Sequence, residues 1–236
     1  MSLPCIIINA KAYRSGTGSA VVRLSRIAVQ VSKKYRVQIA IAVQPQDIFS
    51  VAKTGIMALV QHVDAVGFGP FTGSIVPRGV KMAGAQGTLL NHSERVLSFS
   101  VLRDSLSVAR NAGLLRVACA PSAFVAKKIA ALKPDMIAIE PPELIGGKVG
   151  VSQAKPALIT KTVQAIREIP VLCGAGIQSY EDVKKALVLG AQGILVSSAV
   201  MNAKNPRKVL EEFARAFTFS RGFSSSAHEL INTTVS

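Results

Sequence analysis

Three side chains that could move a proton or hold an anion stand far apart in this chain of 236 residues: Lys11, His92 and Glu140. Glu140 has the most telling neighbourhood. It closes a short apolar run at 136–139, and Pro141-Pro142 directly after it forbids both ladder pairing and helix continuation. Glu140 therefore belongs at the C-terminal edge of a strand. Leu144 and Ile145 follow as apolar residues on a loop, with rigid prolines behind them and Gly146-Gly147 in front, the composition of a lid with one stiff and one soft hinge. A carboxylate under an apolar lid would be a base working away from water. The competing reading is a solvated end-of-strand acid followed by an ordinary loop.

Lys11 follows the first apolar run, where a cation could meet a phosphate or an enolate oxygen, or simply face solvent. Asn9 beside it either orients a ligand or caps a turn. His92, two residues before Glu94, falls at the start of an expected helix, where a helix N-terminus disfavours imidazolium and leaves a neutral donor. His62 reads as structural and His228 as part of the tail. Gly174-Ala175-Gly176 and Ser197-Ser198 end two later apolar runs. Small residues there let backbone N–H groups approach an anion, against the alternatives of tight packing or a turn; their occurrence together favours phosphate.

These residues need a scaffold that gathers strand ends. Runs at 5–8, 37–43, 57–60, 88–90, 115–119, 136–139, 171–173 and 194–196 read as strands, and the continuous apolar run at 5–8 as one buried on both faces. Helical stretches alternate with them. Ala20, Leu24, Ile27, Ala28 and Val31 form one stripe, closed by Lys33 and Lys34 where the macrodipole favours cations. Further helices are expected at 99–111, 122–132, 152–168 and 205–217, and Ser179 with Asp182 makes a capping box for a helix reaching 189. The loop at 61–75 carries Gly67, Gly69, Pro70 and Gly73, with Phe68 and Phe71 exposed among them. Eight such units predict a single-domain (β/α)8 barrel over 1–219, with all strand ends opening on one face. A doubly wound sheet would want a glycine fingerprint after its first strand, and Asn9-Ala10-Lys11 is not one. Residues 220–236 are Ser-rich and aperiodic, the composition of a mobile tail.

Composition narrows the function classes. No apolar run is long enough to span a bilayer and the N-terminus lacks signal-peptide features, so a cytoplasmic protein with no membrane role is expected. Cys5, Cys119 and Cys173 are odd in number and set in apolar runs, which marks reduced core thiols. The formal charge of +15 favours anionic partners. Read along the chain, however, the cations are scattered over helical faces with few aromatics between them, so nucleic acid is a secondary expectation and a phosphorylated small molecule the primary one.

The segments Ile8-Asn9-Ala10-Lys11, Gln61, Phe71-Thr72-Gly73, Asn91-His92-Ser93-Glu94-Arg95, Glu140-Pro141 through Ile145-Gly146, and Cys173-Gly174-Ala175-Gly176-Ile177 together resemble the triosephosphate isomerase family, in its short archaeal form. The resemblance runs in order from about residue 4 to residue 217. It implies a TIM barrel that interconverts dihydroxyacetone phosphate and glyceraldehyde 3-phosphate with no metal or organic cofactor. Glu140 would be the base, His92 the neutral electrophile and Lys11 the cation, with Asn9 beside it and Glu94 supporting it. Ile145, Gly146, Gly176, Ser197 and Ser198 would hold the substrate. Thr72 would belong to a loop that enters a neighbour's active site, implying a homodimer or homotetramer. Two departures stand out: Gly146-Gly147-Lys148 where the family usually has Gly-Thr-Gly, and Ala199 where a glycine often follows the serine pair. A different phosphate-binding barrel, such as an indole-glycerol-phosphate or thiazole type synthase, would instead want a lysine inside a strand. A basic binding protein on the same scaffold would have no use for Lys11, His92 and Glu140 together.

Overall fold

The computed structural model describes residues 5–141 and 155–218. The expected lid residues Leu144, Ile145, Gly146 and Gly147 and the expected tail at 220–236 lie outside the described residues. Eight strands, β1 (Cys5–Asn9), β2 (Gln38–Val43), β3 (Met57–Val60), β4 (Gly87–Leu90), β5 (Leu115–Ala120), β6 (Met136–Ile139), β7 (Val171–Cys173) and β8 (Gly193–Val196), pair in parallel in chain order. β8 returns to β1 through Cys5↔Gly193 and Ile8↔Val196, which closes the barrel.

The largely apolar strands follow from this closure. Alternate side chains point opposite ways, and both sides are dry: one fills the barrel, the other meets the helices. Cys5 and Ile7 join Ala40, Leu59, Leu89, Val117, Ala138 and Leu172 inside. Ile6, Ile8, Ile39 and Ile41 belong to the outer layer, with Val21, Ala28 and Val31 of the first helix. Full burial of one such isoleucine contributes about 1.5–3 kcal/mol.

The helices are α1 (Gly18–Tyr35), α2 (Ile48–Ala52), α3 (Pro77–Met82), α4 (Phe99–Asn111), α5 (Ala123–Ala130), α6 (Pro156–Ala165), α7 (Tyr180–Val188), α8 (Ser198–Met201) and α9 (206–218). The capping box at Ser179 and Asp182 is formed and starts α7. The N-terminus of α1 is capped from outside: Asp47 accepts Gly18 N–H at 2.8 Å and Thr17 Oγ1–H at 2.7 Å. That contact ties the loop after β1 to the loop after β2.

Three elements differ from the sequence reading. The helix expected at 152–168 begins, in its described part, at Pro156 and ends at Ala165, because proline suits the first helical position and Ile166 leaves helical geometry. α3 and α8, of six and four residues, are too short to show a periodic stripe. His92 is not at a helix N-terminus. Residues 91–98 form a loop with a turn at 93–94, and α4 begins at Phe99 with Ser98 as its cap.

Candidate active site

Asn9, Lys11, His92, Glu140, Gly176, Ser197 and Ser198 line one pocket at the C-terminal end of the barrel. Lys11 enters it from a left-handed backbone, φ 46°, that costs a non-glycine residue free energy. Two neighbours hold that backbone. Asn9 Oδ1 accepts Lys11 N–H at 3.0 Å, and Gln61 Nε2 donates to Lys11 O at 2.9 Å. Asn9 thus caps the turn, one of the two roles open for it, while also lining the pocket. The tip of Lys11 is fixed in turn by Glu94, with Nζ 2.6 Å from Oε1.

His92 is buried, and its Nδ1 accepts the backbone N–H of Glu94 at 3.1 Å. An imidazole that accepts at Nδ1 is neutral and carries its proton on Nε2. Burial also holds the ring below the usual histidine value, opposed by the Glu94 carboxylate and reinforced by Lys11. Neutrality therefore comes from desolvation and a turn N–H, not from the helix end that the sequence suggested.

Glu140 follows β6 and is 4 % exposed. Burial pushes its carboxyl up to about 7, against the opposing pull of the Cys119 thiol and Lys11 and with a small push from Glu94. Oε1 lies 3.6 Å from His92 Nε2, and among the described residues Oε2 has no hydrogen-bond partner. An unpartnered buried acceptor beside a neutral imidazole donor is what a base awaiting a substrate proton would present. After β7 and β8, Gly176 has a left-handed φ of 67°, and the hydroxyl of Ser197 is buried without a partner among the described residues. Ser198 opens α8.

Three roles escaped the sequence reading, although Gly174 and Gln61 were among the residues it singled out. Cys119, taken as a plain core thiol, helps to lower the Glu140 carboxyl against its burial, and burial raises its own thiol far above the ordinary range. Gly174 lies against Glu140: a Cβ there would collide with Glu140 Cγ and come within 3.0 Å of Cδ. Gln61 props the Lys11 backbone. Inward alternation along β5 could have flagged Cys119, whereas the other two are visible only in three dimensions. Glu94 sits beside Lys11 and His92 as expected, and Thr72 is exposed on the loop after β3. Ile145 and Gly146 lie outside the described residues. Among the described residues, no group of three or more His, Cys, Asp and Glu side chains could hold a metal ion.

The triosephosphate isomerase family model matches residues 4–215. The chain is 42 % identical over 220 residues to the triosephosphate isomerase of Methanosarcina acetivorans, covering 91 % of this chain and 99 % of that one. It is 46 % identical over 217 residues to that of Saccharolobus solfataricus, covering 90 % and 96 %. The crystal structure of triosephosphate isomerase from Bartonella henselae superimposes with a TM-score of 0.73 at 20 % identity, over 91 % of this chain and 99 % of that one, a likeness of fold.

Proposed function

The chain belongs to the triosephosphate isomerase family, and from that premise we infer which of its own residues carry the reaction. It interconverts dihydroxyacetone phosphate and D-glyceraldehyde 3-phosphate through an enediolate, a reaction of glycolysis and gluconeogenesis. The chemical difficulty is that a carbon next to a carbonyl holds its proton far more tightly than a carboxylate does. The site must strengthen its base and stabilise the enediolate at the same time.

Glu140 is the base. Its burial and the resulting rise to about 7 narrow the gap to the carbon acid. Nε2–H of His92 polarises the carbonyl and carries protons between the two enediolate oxygens. A neutral imidazole suits this, since its weaker acidity lies nearer that of the enediol. Lys11, held by Glu94, supplies positive charge to the developing oxyanion. Gly176, Ser197 and Ser198 offer the phosphate backbone N–H groups and a buried hydroxyl, and Asn9 keeps Lys11 in place. The observation that carries the reading is the Glu140 carboxylate, buried and half unpartnered, 3.6 Å from the proton-bearing nitrogen of His92.

The test is conversion of glyceraldehyde 3-phosphate to dihydroxyacetone phosphate by the native chain and by Glu140→Gln, which keeps shape and removes the base. Loss of about a thousandfold or more in kcat is expected. Equal activity in the two proteins would remove Glu140 from the role.

We also infer a homodimer or homotetramer acting in the cytoplasm. Phe68 and Phe71 are exposed at 64 % and 43 % on the loop that carries Thr72. Next to Lys11 and Glu94 lies a pocket of about 220 Å³, lined also by Gln44, Pro45 and Gln61, into which the same loop of a second copy would fit. Sedimentation of the native chain and of Thr72→Arg tests this, with dissociation of the variant expected. Monomeric native protein would end the proposal.

A further inference from the structure

Read along the sequence, the excess of cations is scattered; the barrel collects much of it at one end. The strands bring their C-termini to the pocket, so the helices, running back, bring theirs to the opposite end. There the last turns of α1, α3 and α4 present Lys33, Lys34, Lys81 and Arg110, and the segments after α2 and α5 present Lys53 and Lys133, all exposed. Neighbouring turns touch. A Cβ on Gly84 would lie 2.7 Å from that of Ala52, Lys81 Nζ donates to Gly113 O at 2.8 Å, and Arg110 Nη2 donates to Lys133 O at 3.3 Å. The cations from α2 to α5 therefore form one continuous band, with Lys33 and Lys34 on the neighbouring helix α1, which packs on α2.

Acid is almost missing from it. Residues 31–36, 49–55, 78–86, 108–116 and 127–135 contain one carboxylate, Asp135, which Arg116 grips through two nitrogens at 2.8 and 2.9 Å. From α9, Glu211 reaches Lys34 at 3.1 Å, and Glu168 stands exposed in the next turn, after α6. By contrast Asp47, Asp64, Glu94, Glu140, Glu181 and Asp182 all lie at the pocket end. A cation at a helix C-terminus complements the macrodipole, which accounts for one such residue per turn but not for the shortage of acid around them. Two aromatic rings accompany the band: Lys53 Nζ lies 4.1 Å from the Phe49 ring centroid and Lys34 Nζ 5.1 Å from that of Tyr35. Phe49 is 58 % exposed.

We propose that this band binds single-stranded nucleic acid through its phosphates, without reading base sequence. A row of cations with an accessible ring beside it suits a linear polyanion whose bases can stack. An anionic bilayer would also want apolar side chains to insert, and these turns expose only Met82 in addition to the ring. The pocket at the other end stays open while the band is occupied.

The experiment is fluorescence anisotropy of a labelled oligouridylate of about 20 nucleotides with the full chain, at salt from about 50 to 200 mM. One variant carries Lys33→Gln, Lys53→Gln, Lys81→Gln and Lys133→Gln. A control removes the same charge from helix flanks, through Arg23→Gln, Arg26→Gln, Lys161→Gln and Lys208→Gln. The native chain should bind, and the band variant should bind at least about tenfold more weakly, with a salt slope reduced by nearly 3, at roughly 0.7 per lost phosphate contact. The control should stay within about twofold of native, and isomerase turnover of all three proteins should be unchanged by saturating oligonucleotide. Absence of binding at low salt, equal weakening in both variants, or inhibition of turnover by the oligonucleotide would each overturn the proposal. So would binding to phosphatidylglycerol vesicles but not to the oligonucleotide, which would make the band a membrane contact.

Discussion

Gly174 and Glu140 are packed so closely that the backbone after β7 leaves no room for a side chain where the proposed base runs. A Cβ built on Gly174 collides with Glu140 Cγ and lies 3.0 Å from Cδ and 3.1 Å from Oε1. Gly174 N–H also donates to Ile139 O at 3.0 Å, so the backbone on that side is anchored and the carboxylate is the part that must yield. In Gly174→Ala we expect Glu140 to move by about 1 Å, with kcat falling roughly a hundredfold and KM changing far less. Steady-state kinetics together with a crystal structure of the variant would check it. A kcat within twofold of native would show that the carboxylate has slack.

The buried carboxyl of Glu140 should make the fold lose stability as pH rises from about 4.5 to beyond about 7. Its value in the folded protein, about 7, lies above the ordinary 4.5, so between those limits the native state keeps a proton that the unfolded chain has released. Stability therefore falls as pH rises through that window, by something on the order of 3 kcal/mol in full. Glu140→Gln carries no proton to lose. Urea unfolding at fixed protein concentration should find the variant increasingly more stable than native between pH 5 and pH 8, and a constant difference would refute the raised value.

The barrel and the residues at its mouth were legible because both leave local marks. Strands buried on two faces are largely apolar runs, and Pro141-Pro142 fixes where β6 must end, hence where Glu140 must stand. The reason for the neutrality of His92 was not legible. Whether residues 91–98 coil into a helix or into a loop is decided by contacts such as Asn91 Oδ1 accepting Leu97 N–H at 2.9 Å and Asn91 Nδ2 donating to Cys119 O at 2.9 Å, which propensity does not see. The same holds for Gly174, whose reason for being glycine is a side chain 34 positions earlier in the chain. Charge was misleading in a different way. Cations spread evenly along a sequence become a band once every helix ends on the same side.

Glu94 contributes to the site through two separable parts, a backbone N–H on His92 Nδ1 and a carboxylate on Lys11 Nζ. Glu94→Gln removes only the second. With its tip no longer held by charge, Lys11 should position less well, and kcat/KM should fall roughly tenfold. The imidazole should remain neutral in both proteins, because the N–H to Nδ1 persists and the lost carboxylate was raising the affinity of the ring for a proton. Nitrogen NMR of the imidazole at pH 7 should show an unprotonated Nδ1 in each. An imidazolium signal from His92 at pH 7 would sink the neutral-donor assignment.

Asp64 closes the base of the loop that exposes Phe68 and Phe71. Its Oδ2 accepts Ile75 N–H at 2.7 Å, its own N–H donates to Ile75 O at 3.0 Å, and Oδ1 lies 3.1 Å from His62 Nε2 and 3.6 Å from Arg95 Nη2. Burial works against the charge, but the Ile75 N–H, His62 and Arg95 outweigh it and hold the carboxyl below its ordinary value. A carboxyl so lowered stabilises the fold above its unfolded value and stops doing so as pH falls through the folded one. Asp64→Asn should therefore cost about 1 kcal/mol near neutrality, the worth of an ordinary hydrogen-bonding group, and the deficit should shrink below about pH 4. Because Thr72 sits on the same loop, the variant should also dissociate at higher protein concentration than native if that loop docks in a second copy. Sedimentation velocity across a dilution series reads this directly. A variant less stable than native but unchanged in association would separate the loop base from the proposed interface and place that interface elsewhere on the barrel.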